Sequence, residues 1–375
     1  MKTLRTLVAV FLLIPWSFPM AASHEFFVYV GTYTRQESRG IYAYRFDADS
    51  GVLKPLGLAA ETSNPSFLVA HPNNRFVYAV GENDPGTIGA FEIDASTGKL
   101  KLINTVASRG NSPCHLSFDR TGKWLFVANY GDGSVASFGV HADGSLGEAT
   151  AFVQHSGSSV NPRRQAGPHA HSVNISSDNR FLAVADLGLD EILVYRFDAK
   201  TGSLTSNNPP FAKIDPGSGP RHLVFSADAN FAWVLNEMKS TVTSLIYERK
   251  RGVFSPNGTA FSVPQDFSGV TNAAEIAIHP NGRFLYTSNR GHNSIAIFDV
   301  DSRTGLIRPG RWVSTRGKTP RNFAIDPSAA FLLAANQDSN SLAIYRIDPK
   351  TGGLEPHGEV TEAPVPVSLA FVRAQ

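Results

Sequence analysis

The chain has 375 residues, 42% hydrophobic and 18% charged, with a formal net charge of +2. This is a globular composition with enough apolar material for a large core. No lysine or arginine cluster forms the basic stripe that nucleic-acid binding uses, which excludes nucleic acid as a partner.

At the N-terminus, Lys2 and Arg5 precede an apolar run from Leu7 to Phe18, and the small residues Ala21, Ala22 and Ser23 follow. Residues 1–23 therefore read as a secretory signal, too short for a membrane span. Residues 24–375 are expected to form a single exported domain, periplasmic or secreted. They hold no second apolar run long enough to cross a bilayer, and no obligate protein partner is evident.

The first strands are "FFVYVGTY", "GIYAYRFD" and "SGVL". A repeat then takes over, in "NPSFLVAHPNNRFVYAVGEN", "SPCHLSFDRTGKWLFVANYG", "PHAHSVNISSDNRFLAVADL", "GPRHLVFSADANFAWVLNEM", "NAAEIAIHPNGRFLYTSNRG" and "TPRNFAIDPSAAFLLAANQD". Each segment is an alternating strand, a polar turn, and a second strand opening on an aromatic, the pattern of a hairpin. A third strand follows, such as "EILVYRFD", then a turn such as "DAKTGSL", then a weaker fourth strand. The opening aromatics are Phe76, Trp124, Phe181, Phe231, Phe284 and Phe331, 47 to 57 residues apart. Four strands in roughly 50 residues is a β-propeller blade. The C-terminal "VPVSLAFV" is a first strand with nothing after it, and the N-terminal unit lacks its first strand. Joined, they make a seventh blade. The expected fold is an all-β, seven-bladed propeller of four antiparallel strands per blade, closed by both termini.

The repeat supplies an internal control: a position that departs toward charge in one blade is a candidate for function. Ten residues before each aromatic stand Ser66, Cys114, His171, Arg221, Ala274 and Arg321. Six residues after it stand Glu82, Tyr130, Leu187, Glu237, Arg290 and Gln337, with Tyr33 at the matching place in the N-terminal unit. Antiparallel pairing brings both sets to one rim of the central channel. His171, Arg221, Glu237, Arg290, Arg321 and Gln337 come from four consecutive blades, so a charged mouth is expected there.

Other polar positions have plainer readings. Asn129, Asp186, Asn236, Asn289 and Asn336 recur and read as strand-end hydrogen bonding. His71 and His279 also recur and read as structural. The lone Cys114 reads as a buried small apolar residue. His115 and His222 follow the channel position by one and point away from it, unless the strand is irregular at its start. His169 and His171 share a strand face, but two ligands make no metal site without a further one such as Glu237 or Glu82, and no metal is expected. The plainer role for His169 is structural.

The motifs "RRQAGPHAHSV", "GPRHLVF" followed by "LNE", "SNR", and "TPRNFAID" followed by "ANQ" carry a resemblance. In this order the chain is similar to the seven-bladed propeller lactonases of the 6-phosphogluconolactonase type, a group that includes fungal carboxymuconate-cyclising enzymes. The resemblance covers essentially all of residues 24–375. It implies His171, Arg221, Glu237 and Arg290 as the catalytic set. It further implies substrate contacts from Arg164, Gln165, Arg321 and Gln337, to which are added Glu82, from its rim position, and His169, from the strand face it shares with His171. No cofactor is implied, and the partner is a small-molecule lactone or sugar acid. Two departures stand out. Ala273 replaces the proline that opens other inner strands. The export signal also sits poorly with a phosphorylated lactone from a cytoplasmic pathway.

Lactone hydrolysis needs an activated water, a stabilised oxyanion and a proton for the leaving alkoxide. Clustered arginines lower the pKa of Glu237, which favours Glu237 as base and His171 as acid, with Arg221 and Arg290 on the oxyanion. The alternatives are a cycloisomerase closing a muconate-type diacid and a non-catalytic exported binding propeller.

Overall fold

The structure, a computed structural model, describes residues 24–374; the expected secretory segment 1–23 lies outside the described residues. Seven sheets of four antiparallel strands follow one another around a ring. Blades one to six span residues 68–107, 113–154, 170–213, 220–261, 272–314 and 320–362. In the seventh, the C-terminal strand Pro366–Arg373 is innermost and pairs with the N-terminal strand Glu25–Thr32. Gly40–Asp47 and Val52–Glu61 complete that blade. Side-chain hydrogen bonds tie it to both neighbours. Leu68 N donates to Ser368 Oγ at 3.0 Å, and Leu369 N to Asn322 Oδ1 at 3.0 Å.

The second strand of each blade is buried on both faces, which is why it reads as a run of apolar residues rather than an alternation. Its side chains fill the wedges between blades. Phe76, Tyr78 and Val80 pack against Leu116, Phe118 and Leu125, and Phe26, Val28 and Val30 against Phe331, Leu333 and Ala335. Large aromatics bury their rings there and keep one polar atom bonded to the next blade. Tyr78 Oη donates to Gly144 O, Tyr286 Oη to Gly352 O, and Trp233 Nε1 to Gly305 O, at 2.6 to 2.9 Å.

The inner strands are not regular. One extra residue interrupts the pairing between Pro113 and His115, Ala170 and Ser172, Pro220 and His222, and Pro320 and Asn322. The extra residues are Cys114, His171, Arg221 and Arg321, the positions ten before the aromatic. A bulge at a rim turns the side chain off the pleat and aims it at the site. It also turns the following residue inward. His115 and His222, expected to face away by strict alternation, therefore both sit in the channel, their rings 5.0 Å apart.

Candidate active site

The channel mouth holds a cleft of about 310 Å³ lined by Glu82, Cys114, Tyr130, Arg164, His171, Glu237, Asn272, Arg290 and Arg321. That is at the lower end of small-molecule sites, which run roughly 300–1,000 Å³. At its centre is Glu237, whose side chain is 7% exposed. Its Oε2 lies 3.1 Å from Arg221 Nε and 3.0 Å from Arg290 Nη2, and its Oε1 accepts from Arg164 Nη2 at 2.8 Å. Burial opposes ionisation of Glu237, but Arg290, Arg221 and Arg164 outweigh it and pull its pKa down to about 2.

His171, from the third inner strand, places Nε2 3.9 Å from Glu237 Oε2 and its ring edge-on to Tyr130. Burial, reinforced by Arg221, His222 and Arg321, pushes its pKa well below the ordinary 6.5, so the imidazole is neutral at pH 7. Cys114 Sγ lies 3.7 Å from His171 Nδ1 on the cleft floor. Burial drives the Cys114 thiol pKa upward, so it lines the site as an inert thiol.

Backbone carbonyls hold part of the Arg221 and Arg290 guanidinium groups. Arg221 Nη1 bonds to Ala274 O, and Arg290 uses Nε and Nη2 on Asn272 O and Ala273 O. Arg221 Nη2 and Arg290 Nη1 have no hydrogen bond among the described residues. Arg321 stacks over the Tyr33 ring, 5.3 Å from its centroid, and has no hydrogen bond or ion pair among the described residues. The Tyr33 hydroxyl donates to Glu82 at 3.0 Å on the same side of the cleft.

Of the residues singled out in the sequence, His171, Arg221, Glu237, Arg290, Arg164, Arg321 and Glu82 come together here. Three do not. Gln165 is fully buried in the loop before blade three, where Nε2 donates to Leu187 O and Oε1 accepts from Asn161 N. Gln337 opens a 3-10 turn and donates to Asp338 Oδ1, outside the cleft. His169 bonds through Nδ1 to Tyr130 O and stacks on that ring at 4.5 Å, so it positions Tyr130 rather than facing the cleft. Tyr130, Asn272 and Tyr33 were not singled out as contacts. Tyr130 and Tyr33 share the rim register of Glu237, so that register was their signal. Among the described residues no three His, Cys, Asp or Glu side chains converge as metal ligands.

The plainer readings agree with the contacts. Asn129, Asn289 and Asn336 donate to carbonyls of preceding loops, and Asp186 takes His155 Nδ1 at 2.6 Å. His71 and His279 each bond a carbonyl of the next blade, Gly122 O and Ala329 O.

Residues 27–371 match the family model described as lactonase, 7-bladed beta-propeller. The chain is 35% identical over 297 residues to a 6-phosphogluconolactonase of Bacillus subtilis (strain 168), covering 79% of this chain and 83% of that protein. It is 36% identical over 303 residues to a 6-phosphogluconolactonase of Formosa agariphila, covering 79% and 85%. Among solved structures, the periplasmic gluconolactonase PpgL of Pseudomonas aeruginosa superposes with a TM-score of 0.88 at 36% identity, over 94% of this chain and all of that one. The chain belongs to the seven-bladed β-propeller lactonase family.

Proposed function

We propose that this lactone hydrolase opens an unphosphorylated sugar-acid lactone with His171 as general base and Arg221 and Arg290 as the oxyanion clamp. The observation that carries the reading is a neutral imidazole sharing one small cleft with guanidinium groups locked by Glu237. His171 Nε2 takes a proton from water as the water oxygen bonds to the lactone carbonyl carbon. Negative charge develops on the carbonyl oxygen, where Arg221 Nη2 and Arg290 Nη1 still have donors to give. The carbonyl then re-forms and the bond from carbon to ring oxygen breaks. The imidazolium returns its proton to the departing alkoxide, and the new acid ionises.

This departs from the roles expected from the sequence, Glu237 as base and His171 as acid, by giving both proton transfers to His171. A carboxylate held near pKa 2 is a poor base, and a neutral imidazole has no ready proton to give first. Glu237 instead anchors three arginines.

Two features support an unphosphorylated substrate. Glu82 is available to accept sugar hydroxyls. The secretory form of residues 1–23 and the relative named a periplasmic gluconolactonase support a site outside the cytoplasm, which cell fractionation tests.

The experiment is a panel of glucono-δ-lactone, 6-phosphogluconolactone and a carboxymuconate on wild type and Arg221→Ala. Glucono-δ-lactone should turn over fastest. Turnover of the diacid alone would mean ring closure instead.

A further inference from the structure

Directly beneath the cleft lies a second tier of side chains from blades one, two, four, five and six: Phe67, His115, His222, Glu275 and Asn322. Phe67 stacks on His115 at 4.3 Å, and the His222 ring lies 5.3 Å from that of His171. Buried titratable groups beneath a reactive site call for a role, and their hydrogen bonds define one.

A guanidinium carries only donors. Arg221 Nη1 lies 3.3 Å from His222 Nε2, so that nitrogen must be the unprotonated one. The remaining ring proton then sits on Nδ1, 2.8 Å from Glu275 Oε1. Glu275 Oε1 also accepts from Ile276 N at 2.9 Å, and Oε2 from Asn322 Nδ2 at 2.5 Å. The orientation of Asn322 is fixed in turn, because its Oδ1 accepts from Leu369 N on the ring-closing strand. Burial raises the Glu275 pKa, but every group that hydrogen-bonds its carboxylate is a donor, and with Arg221 these favour the ionised form.

We infer that Glu275 and His222 are positioning residues for Arg221: a directed chain, Asn322 to Glu275 to His222, fixes the guanidinium and supplies a second counter-charge below it. The inference rests on the lactonase reading for its effect on rate. Glu237 fixes Arg221 from one side through Nε, and His222 from the other through Nη1, leaving Nη2 as its unengaged donor among the described residues. Burial, with Arg221 and Arg321 adding to it, also holds the His222 imidazole neutral, as an acceptor for Arg221 must be.

Two measurements test the inference. Nitrogen-15 NMR of the wild-type protein at pH 7 should find His222 in the Nδ1–H tautomer; the Nε2–H tautomer or an imidazolium would overturn the chain. This arm decides the inference even if no lactone is opened, in which case the lactonase reading fails separately. In kinetics with glucono-δ-lactone, Glu275→Gln should lower kcat roughly 10-fold with KM nearly unchanged, as loss of a supporting hydrogen bond does. His222→Gln, which keeps an acceptor near Arg221, should retain more kcat than His222→Leu. In an Arg221→Lys background Glu275→Gln should add little. A loss that multiplies fully with Arg221→Lys would mean that Glu275 acts on the fold and not through Arg221.

Discussion

Three buried imidazoles, His115, His171 and His222, share a consequence. Burial pushes each well below the ordinary 6.5. The folded state keeps them neutral where the unfolded chain would take up protons, so stability is complete above about pH 6.5 and is lost as the pH falls below it. Thermal melts from pH 7.5 to 5 should show a decline approaching three protons, ~4 kcal/mol per pH unit at its steepest. A flat profile over that range would contradict neutral burial. Glu237 acts lower on the scale. Its folded pKa of about 2 lies below the unfolded 4.5, so its contribution holds above 4.5 and fades as pH falls toward 2. Activity carries the same signature. If His171 is the base, kcat/KM falls on an acid limb below pH 6.5. Arg321→Met, which removes one of the positive charges holding that pKa down, should move the limb upward. No shift would separate the limb from His171. Glu237→Gln should cost at least ~10²-fold in kcat/KM by untying Arg221, Arg290 and Arg164.

At the scale of the element, the hairpin turns repeat a backbone requirement. Two residues before each opening aromatic the chain takes a positive φ: Asn74 at 57°, Gly122 at 72°, Asn179 at 62°, Ala229 at 53°, Gly282 at 72° and Ala329 at 62°. Glycine and asparagine adopt this region readily, whereas alanine crowds its Cβ against the backbone. Ala329 is only partly buried, so Ala329→Gly should stabilise the protein by about 0.5–1 kcal/mol, the strain relieved exceeding the added unfolded-state entropy. A lower melting temperature would refute it. The strands themselves were legible because each blade repeats the others' alternation and turn residues. The four central residues were legible because a charged side chain at a repeated register has six neighbours to be compared with. The second tier was not. One inserted residue per inner strand reverses the facing of the residue after it, and no period-two pattern reveals which residue is the insertion. Gln337 lies in a turn, where register says nothing about direction, and Gln165, implied by the resemblance and not by register, is buried in the loop before blade three. Tyr130 was in register but carries no charge to mark it.

Over the whole molecule, the ring both makes the site and supports it. The cleft draws side chains from blades one to six, so its geometry depends on closure by the seventh blade. That closure rests on the pairing of Pro366–Arg373 with Glu25–Thr32 and on the bonds of Ser368 and Leu369 to blades one and six. Deleting residues 366–375 would expose the edge of Glu25–Thr32 and remove the anchor of Asn322. Such a chain should lose activity and associate or aggregate on size-exclusion chromatography; a monomeric, active product would show that closure is dispensable. The central claim is that residues from separate blades form one lactone-opening site, with Arg221 on the oxyanion. Its most direct test is kcat/KM for glucono-δ-lactone in wild type and Arg221→Ala, corrected for spontaneous hydrolysis. Wild-type turnover should be saturable, and the variant should lose at least ~2 kcal/mol of transition-state stabilisation. Equal rates in the two proteins, each above the spontaneous reaction, would contradict it.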